Sequence, residues 1–464
     1  MTSQLKKLLF YTVSWYFIIG VIAIPANAQK IQFQNQDIFI NGVNIPWNEF
    51  GWDFGEHHLW GRGYDSLYFE NTFTELEANG VNCVRMWVHC DGRANPNFDE
   101  NGFVTGLDNG MLEELDDFVT RAKNHNLLVI LTLWSHDLLE DYTDDAGEFA
   151  GLHKDLITEP EKTQSYLDHA LKPIVQHLNH HCNLLAWEIM SEPEWCMRIL
   201  GGASTSQTLD SETMQRFVGK CIQIIRANSS QYITVGSAYP CGNDYGQNKN
   251  YWHETEFERL GFDCEKVHVD FYSFHYFEWM NEEENVFEQT VQFWDVNKPI
   301  LIAESAVKTT DKNTLLPAKE QLEHAFDKNY AGVLFWSVGA NDEYSDWEMM
   351  KTDIAAFSNQ MQFPSVICDT LSFDTPNLFC RFYPNPVKEQ LYMDYHTLKE
   401  EMIVIRLYDV NGRLIKNETK ILDPTEGKTD LLIGHLMKGV YVLEVWQARN
   451  NGFFKVFTEK IMVM

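Results

Sequence analysis

The chain has 464 residues, which is too long for one ordinary domain and long enough for two. Hydrophobic residues make up 44% and charged residues 22%, a balance that excludes a disordered or fibrous chain and predicts a large buried core. The formal net charge of −31 argues against nucleic acid and anionic membranes as partners.

The negative charge is unevenly distributed along the chain. Residues 29–380 carry 22 basic and 56 acidic side chains, whereas the segment from Arg381 to the end carries 12 and 11. The acidic part is expected to take a neutral or cationic substrate, and a polyanionic one is disfavoured. Solubility in a salty medium explains the same acidity equally well.

Residues 1–28 have the pattern of a signal peptide. Lys6 and Lys7 give a positive start, residues 8–24 are apolar, and Ala26-Asn27-Ala28 is a small-x-small cleavage site. A membrane anchor is the alternative, but the apolar stretch is barely long enough to span a bilayer and ends at the cleavage site. The mature chain is therefore expected to be secreted or held at the cell surface, without a membrane span.

The nine cysteines of an exported chain are free to form disulfide bonds. Their spacing contains no CxxC pair, which disfavours a zinc site built from cysteines. The odd number leaves at least one thiol over.

Residues 29–368 alternate between short apolar runs and helix-like segments. Eight runs predict strands: Val43–Trp47, Asn82–Val88, Leu127–Leu133, Leu184–Ile189, Tyr232–Val235, Val267–Phe274, Pro299–Ala303 and Gly332–Trp336. Helices are predicted over Met111–Asn124, Thr163–Leu178, Ser211–Ala227, Val286–Trp294 and Pro317–Lys328. Eight repeats predict an α/β fold, a (β/α)₈ TIM barrel. An open doubly wound sheet is the alternative, disfavoured because no Gly-rich loop follows the first strand.

The pattern changes after residues 369–380, which we interpret as a linker. Strands are predicted over Gln390–Tyr395, Met402–Tyr408, Asp430–Ile433, Val440–Trp446 and Phe453–Met464. Asn411-Gly412 is a strong hairpin signal between two of these strands. Residues 381–464 are therefore expected to form a small all-β sandwich.

Two glutamates occupy the positions where a barrel carries its chemistry, at the carboxyl ends of strands. Glu192 follows the fourth strand, and Glu304 closes the seventh. A buried carboxylate is costly unless it is paired or used, so structural ion pairs are the alternative. A retaining glycosidase needs two carboxyls about 5–5.5 Å apart, one a nucleophile and the other a general acid and base. Arg85, at the end of the second strand, is expected to keep Glu304 ionised, or else to form a structural salt bridge.

Aromatic and histidine side chains near the strand ends are candidate sugar contacts. The tryptophans are Trp87, Trp134, Trp279 and Trp336, and the histidines are His89, His136 and His275. Core packing is the alternative for each aromatic ring. Metal binding by the histidines is disfavoured because no tight ligand spacing supports it, so neither a metal nor another cofactor is expected.

Several stretches carry a resemblance to glycoside hydrolase family 5, and within it to β-mannanases. They are Asn82–His89, Phe98–Asn109, Leu131–Trp134, Ser165–Pro173 and Trp187–Glu194. The resemblance implies that Glu192 is the acid/base and Glu304 the nucleophile. It also implies that Arg85, His275 and Trp336 are their partners in the substrate site.

The chain departs from that family at two places. The family usually has Asn before the acid/base, bonded to the sugar 2-hydroxyl, and this chain has Ser191. A family Tyr that donates to the nucleophile is replaced by Phe277, which cannot donate; Tyr276 would take over if the strand carries a bulge. Both departures bear on which sugar is bound.

The C-terminal segment is similar to the sorting domains of the type IX secretion system. Tyr383–Pro386, Leu407–Arg413 and Lys438–Tyr441 carry the likeness. It implies secretion machinery as a partner and, usually, removal of the domain. A carbohydrate-binding module is the alternative.

Three functions follow from these features. The leading hypothesis is endo-hydrolysis of a β-1,4-mannan polysaccharide through a covalent intermediate. The second is the same chemistry on a β-1,4-glucan or another β-glycan, because fold and carboxylates do not choose the sugar. The third is a glycan-binding barrel without activity.

Overall fold

The structure is a computed structural model that describes residues 30–361 and 379–463. Within these ranges it does not describe 35, 58–59, 144–148, 152, 200–203, 241–249, 278–279, 281–284, 308–315, 340–343, 384, 397–399, 411, 424–426, 435 and 450–451. The chain forms two compact units, Met1–Cys368 and Asp369–Met464. The predicted signal peptide, Trp279 and most of the predicted linker lie outside the described residues.

Eight parallel strands of the first unit close into a barrel, which confirms the predicted fold class. They are β1 (Ile40–Ile45), β2 (Cys83–Cys90), β3 (Leu128–Ser135), β4 (Leu184–Ser191), β5 (Tyr232–Ser237), β6 (Tyr272–Tyr276), β7 (Ile300–Ser305) and β8 (Gly332–Phe335). Each strand pairs with the next in chain order, and β8 pairs with β1 to close the ring. Every residue of β2, β3 and β4 is buried, because helices cover a barrel outside and side chains fill it inside.

Nine α-helices surround this barrel among the described residues. They are α1 (Ser66–Ala78), α2 (Met111–Asn124), α3 (Lys154–Thr158), α4 (Pro160–Tyr166), α5 (Lys172–Leu178), α6 (Ser211–Asn228), α7 (Glu254–Arg259), α8 (Ala318–Asp327) and α9 (Trp347–Met361), and a π-helical turn, Leu167–Leu171, joins α4 to α5. Asp65 and Asp210 accept backbone N–H groups at the starts of α1 and α6, which stabilises those ends. No helix in the described part of the chain is long and apolar enough to cross a bilayer.

The helix predicted over Val286–Trp294 is wrong. The structure has a short 3₁₀ helix, Val291–Trp294, in its place. Thr290 immediately before it has an extended backbone, φ −86° and ψ 160°, so a helix cannot continue through this residue. The apolar spacing there serves loop packing instead: Val286 and Phe287 are buried.

Seven antiparallel strands of the second unit form two sheets, as expected for a small all-β domain. They are β9 (Phe379–Tyr383), β10 (Gln390–His396), β11 (Glu401–Tyr408), β12 (Leu414–Leu422), β13 (Lys428–Leu432), β14 (Gly439–Arg449) and β15 (Gly452–Val463). The sheet orders are β9-β10-β13 and β12-β11-β14-β15. The sequence prediction missed β9, which begins inside the predicted linker, and β12, whose mostly polar residues lack a clear apolar alternation.

The cysteines of the first unit are mostly unpaired among the described residues. Cys182 is in a disulfide bond. The thiols are free at Cys83, Cys90, Cys196, Cys221 and Cys264. Four of these five side chains are buried, so they act as small hydrophobic groups in the barrel core.

Candidate active site

A cavity of about 370 Å³ opens where the barrel strands end, within the size range of small-molecule sites. Both predicted catalytic glutamates line it. The predicted residues His136, Ser191, Trp87 and Trp336 line it too. Further lining residues that the sequence prediction missed are Trp47, Phe50, Ser135, Asp137, Trp195 and Tyr344, together with Phe277.

The two glutamates face each other from opposite sides of the barrel. Glu192 is the first residue after β4, and Glu304 is the penultimate residue of β7. One carboxylate oxygen of each and one ring nitrogen of His275 all lie within 4.8 Å of one another. This spacing lets both carboxyls reach one small reacting group.

The backbone at Glu192 is strained and firmly held. Its φ of 53° and ψ of 47° are left-handed values, which cost a residue other than glycine about 1–3 kcal/mol. The Glu192 N–H donates to Gly236 O at 2.6 Å, and the Trp195 indole N–H donates to Glu192 Oε2 at 2.9 Å. Both bonds fix where the carboxylate points.

Glu194 anchors the loop that carries Glu192. Its side chain is fully buried and accepts the Ala238 N–H at 3.0 Å and the Trp252 indole N–H at 3.2 Å. These bonds tie the loop after β4 to the end of β5. Glu194 therefore supports the cavity from behind without lining it.

Arg85 binds two carboxylates at the floor of the cavity. Nη1 donates to Glu304 Oε1 at 2.6 Å and to Asn44 Oδ1 at 2.9 Å, while Nε donates to Glu188 Oε1 at 3.0 Å. Nη2 lies 3.1 Å from Ser191 Oγ. The guanidinium is fully buried. Arg85 thus makes the expected bond to Glu304 and a structural ion pair with Glu188, but burial still raises the pKa of Glu304 above its usual value, so the bond alone does not keep this carboxyl ionised.

Gly236 leaves the room that the Arg85–Glu188 pair needs. A Cβ atom at this position would lie 2.7 Å from Glu188 Oε1 and 3.0 Å from Arg85 Nη2. The ion pair therefore packs directly against the backbone of β5.

His275 connects the two catalytic candidates. Its Nδ1 lies 2.8 Å from Glu192 Oε1 and 3.5 Å from Glu304 Oε2. On the other side of the ring, Nε2 is 3.5 Å from Arg85 Nη2. The ring is fully buried, so it acts on the carboxylates from below the cavity surface.

The pKa values of the two carboxyls separate in the free site. At Glu192, burial would raise the pKa, but the hydrogen bond and charge of His275, with His136 and Trp195, lower it to about 2. At Glu304, burial raises the pKa, and the charge of Glu192 adds to it against the opposing effects of His275 and Arg85. Burial and the neighbouring charges therefore move the two pKa values apart, and such a separation lets paired carboxyls take different roles.

Tryptophan rings form one wall of the cavity. The ring centroids of Trp87 and Trp336 are 5.8 Å apart, and Trp47 lies 5.8 Å from Trp336. The Arg85 guanidinium sits 4.2 Å from the Trp87 ring centre. Such flat apolar faces suit the C–H faces of a sugar ring.

Some predicted sugar contacts are not placed at the cavity. Trp134 and His89 are fully buried and pack on each other with centroids 4.5 Å apart, and Trp134 also packs on Tyr166. Neither side chain lines the cavity, so the predicted stacking of Trp134 on a sugar and the predicted hydrogen bonding of His89 to its hydroxyls are both corrected to a core role.

Strand β6 does contain the irregularity that would let Tyr276 replace the missing tyrosine. The pairing register of β6 with β7 shifts between Phe274 and His275. Tyr276 nevertheless packs against Phe287, and Phe277 is the residue that lines the cavity. The contact of Tyr276 with the substrate therefore stays a prediction.

The spacing of the Glu192, His275 and Glu304 side chains permits metal binding. Their ligand atoms are close enough to hold an ion. The Arg85 guanidinium, which already bonds Glu304, adds a positive charge that disfavours a cation there.

Comparisons with known proteins agree with this geometry. Residues 43–342 match glycosyl hydrolase family 5, the cellulase family, and residues 381–463 match the secretion system C-terminal sorting domain. A mannan endo-1,4-beta-mannosidase from Mytilus edulis is 26% identical over 336 residues, covering 68% of this chain and 87% of that protein.

Solved structures give the same result. An endo-1,4-beta-mannanase from Eisenia fetida has a TM-score of 0.62 and 25% identity, covering 72% of this chain and 94% of its own. A beta-1,4-mannanase from Aplysia kurodai has a TM-score of 0.60 and 26% identity, covering 70% and 93%. The chain belongs to glycosyl hydrolase family 5 and is a glycoside hydrolase, and its C-terminal sorting domain indicates type IX secretion to the cell surface or beyond.

Proposed function

We propose that the chain hydrolyses β-1,4-mannan internally, with retention of anomeric configuration, using Glu304 as nucleophile and Glu192 as acid and base. The observation that carries the proposal is the approach of the two carboxylates to within 4.8 Å, oxygen to oxygen. Inverting enzymes need about 6.5–9.5 Å between carboxyls to admit a water molecule. The closer spacing supports double displacement.

The reaction takes two steps. In the first, Glu304 attacks the anomeric carbon, the glycosidic C–O bond breaks, and Glu192 gives its proton to the leaving oxygen. In the second, Glu192 takes a proton from water, and the resulting hydroxide displaces Glu304 from the sugar. Arg85 stabilises the Glu304 carboxylate when it leaves, through the 2.6 Å bond to Oε1.

Substrate binding has to reverse the order of the two pKa values. In the free site the pKa of Glu192 is lowered and that of Glu304 is raised, whereas the first step needs a proton on Glu192 and a charge on Glu304. The Glu192 side chain is 17% exposed and Glu304 only 6%, so a bound sugar removes more water from Glu192 and raises its pKa more. His275 Nδ1 lies within 3.5 Å of both carboxyls and is placed to assist this change.

The choice of mannan rests on the relatives, whose names describe mannanases. Ser191, beside Glu192 in the cavity, is the feature that favours a second candidate, a β-1,4-glucan. Mannose carries its 2-hydroxyl axially and glucose carries it equatorially. The short side chain of Ser191 distinguishes these two orientations less strictly than an asparagine amide would. Both candidates use the same two carboxylates.

Reducing-sugar release from mannan, glucomannan, cellulose and laminarin tests the substrate. We expect mannan to give the highest rate, and a mixture of oligosaccharides to show internal cleavage. Cleavage of cellulose alone would replace mannan by glucan. NMR of the first-formed product should show the β-anomer, and an α-anomer would exclude double displacement.

The roles of the two glutamates are tested with azide as an external nucleophile. With Glu304→Ala, azide should attack the activated sugar directly and give the inverted α-glycosyl azide. With Glu192→Ala, it should attack the covalent intermediate and give the retained β-azide. The opposite pattern would exchange the two roles, and full activity of either variant would refute the mechanism.

A further inference from the structure

A second group of ligand side chains lies at the opposite end of the barrel. Asp116 is on α2, His177 is in the last turn of α5, and His180 and His181 precede β4. The eight residues of β4 separate this group from Glu192, a distance of about 26 Å at 3.3 Å per residue. Its role is therefore independent of the catalytic cavity.

The histidine rings converge on a single carboxylate oxygen. From Asp116 Oδ1 the distances to Nε2 are 2.7 Å for His181 and 3.6 Å for His180. His177 Nε2 lies 3.9 Å from the same oxygen. Ligands held 2.0–2.1 Å from a tetrahedral zinc ion are about 3.4 Å apart. The group already has nearly this spacing.

The hydrogen bonding of His180 prepares it as a ligand. Its Nδ1 lies 2.8 Å from the His177 carbonyl oxygen, which can only accept, so Nδ1 carries the hydrogen. In the neutral ring Nε2 then presents a lone pair toward the Asp116 carboxylate, and two acceptors face each other. A cation between them turns this repulsion into two bonds. A ligating histidine typically donates its other N–H in this way.

His181 is held at the position of a ligand. The side chain is 6% exposed, and its Nε2 lies 2.7 Å from Asp116 Oδ1. Lys123 is a nearby positive charge that acts against a cation, and the Asp116 carboxylate compensates for it.

We propose that Asp116, His180 and His181 bind a divalent transition-metal ion of the zinc type, with His177 or water as the fourth ligand. Imidazole and carboxylate ligands in this number suit zinc, copper or nickel rather than magnesium or calcium. The ion links α2 to the turn before β4. It stabilises the barrel and takes no part in the reaction.

Zinc titration of the full chain after treatment with EDTA tests the proposal. Calorimetry should give one high-affinity ion per chain. The melting temperature should rise by about 4 °C at a hundredfold excess over the dissociation constant. Cobalt in place of zinc should give the visible absorption of a four-coordinate ion.

The variants His180→Gln and Asp116→Asn should lose the bound ion and the thermal shift while keeping the activity of the parent. His180 is half exposed, so its replacement leaves the fold intact. His125→Gln is the matched control, because His125 also contacts carboxylates, those of Glu70 and Glu77, and should leave zinc binding unchanged.

Glu304→Gln separates this group from the catalytic one and should keep the ion. Absence of zinc binding by the parent chain would overturn the proposal. Equal binding by His180→Gln and the parent would overturn it as well.

Discussion

Arg85 donates a 2.6 Å hydrogen bond to Glu304 from a position where the guanidinium has no contact with solvent. The same side chain neutralises Glu188. Removing Arg85 would leave the Glu188 carboxylate buried without a counter-charge and Glu304 without its hydrogen-bond donor. Losing one partner of a buried ion pair in this way is strongly destabilising.

Arg85→Ala should lower the free energy of unfolding by about 3–5 kcal/mol and abolish activity. Chemical denaturation measures the first effect. Arg198→Ala is the control, because its ion pair with Asp210 is 3.9 Å long and more than half exposed, and it should change stability by less than about 0.5 kcal/mol. Equal stability of Arg85→Ala and the parent would show that Arg85 is not needed to balance these charges.

Glu188→Gln should move the pH dependence of kcat/KM toward lower pH. Glu188 shares Arg85 with Glu304, so its neutralisation leaves the guanidinium charge to Glu304 alone and lowers the pKa of that carboxyl. Activity is lost at alkaline pH when Glu192 and Glu304 together give up their last proton. With the lower pKa, this loss begins at a lower pH. Glu212→Gln, an exposed surface change, should leave the profile in place. A shift to higher pH would contradict the sharing of Arg85.

Trp336 and Trp134 should respond in opposite ways to replacement by alanine. Trp336 lines the cavity, so Trp336→Ala should lower kcat/KM about tenfold or more, mainly through KM, with little change in stability. Trp134 is fully buried, so Trp134→Ala should cost about 3–5 kcal/mol of stability and leave the KM of the folded protein unchanged. Steady-state kinetics and denaturation together distinguish the two, and a changed KM in Trp134→Ala would return that residue to the site.

Ser191→Ala should lower kcat/KM on mannan about tenfold, since its hydroxyl is the polar group beside Glu192 and contacts Arg85 at 3.1 Å. Ser191→Asn restores the amide that the family usually carries there. We expect it to raise the preference for mannan over glucan, measured as the ratio of the two kcat/KM values. An unchanged ratio would show that the residue at position 191 does not distinguish between the two orientations of the 2-hydroxyl.

The barrel could be predicted because its parallel strands are buried on both faces. Each strand therefore appears in the sequence as a continuous apolar run, without alternation of apolar and polar residues. The two glutamates were identifiable because each ends such a run. The role of Glu188 as the second partner of Arg85 was not, because a strand residue shows its partner only after the barrel closes.

Only some of the aromatic residues that line the cavity could be predicted from the sequence. Trp87 lies within the predicted strand β2 and Trp336 directly after β8, whereas Trp47, Trp195 and Tyr344 lie in the segments that follow β1, β4 and β8. Loop conformation depends on turns and packing that apolar periodicity does not encode. His89 was misplaced for a related reason: the register of β2 against β3 shifts between Trp87 and Cys90, so simple alternation fails there.

Gly236 places a steric limit on redesign of this enzyme. A methyl group there would push Glu188 and Arg85 out of position, and Arg85 would carry the displacement to Glu304. A side chain at position 236 would touch no sugar, yet its volume alone would stop the reaction. Libraries intended to alter sugar preference should keep glycine at position 236 and vary the loop residues that face the cavity instead.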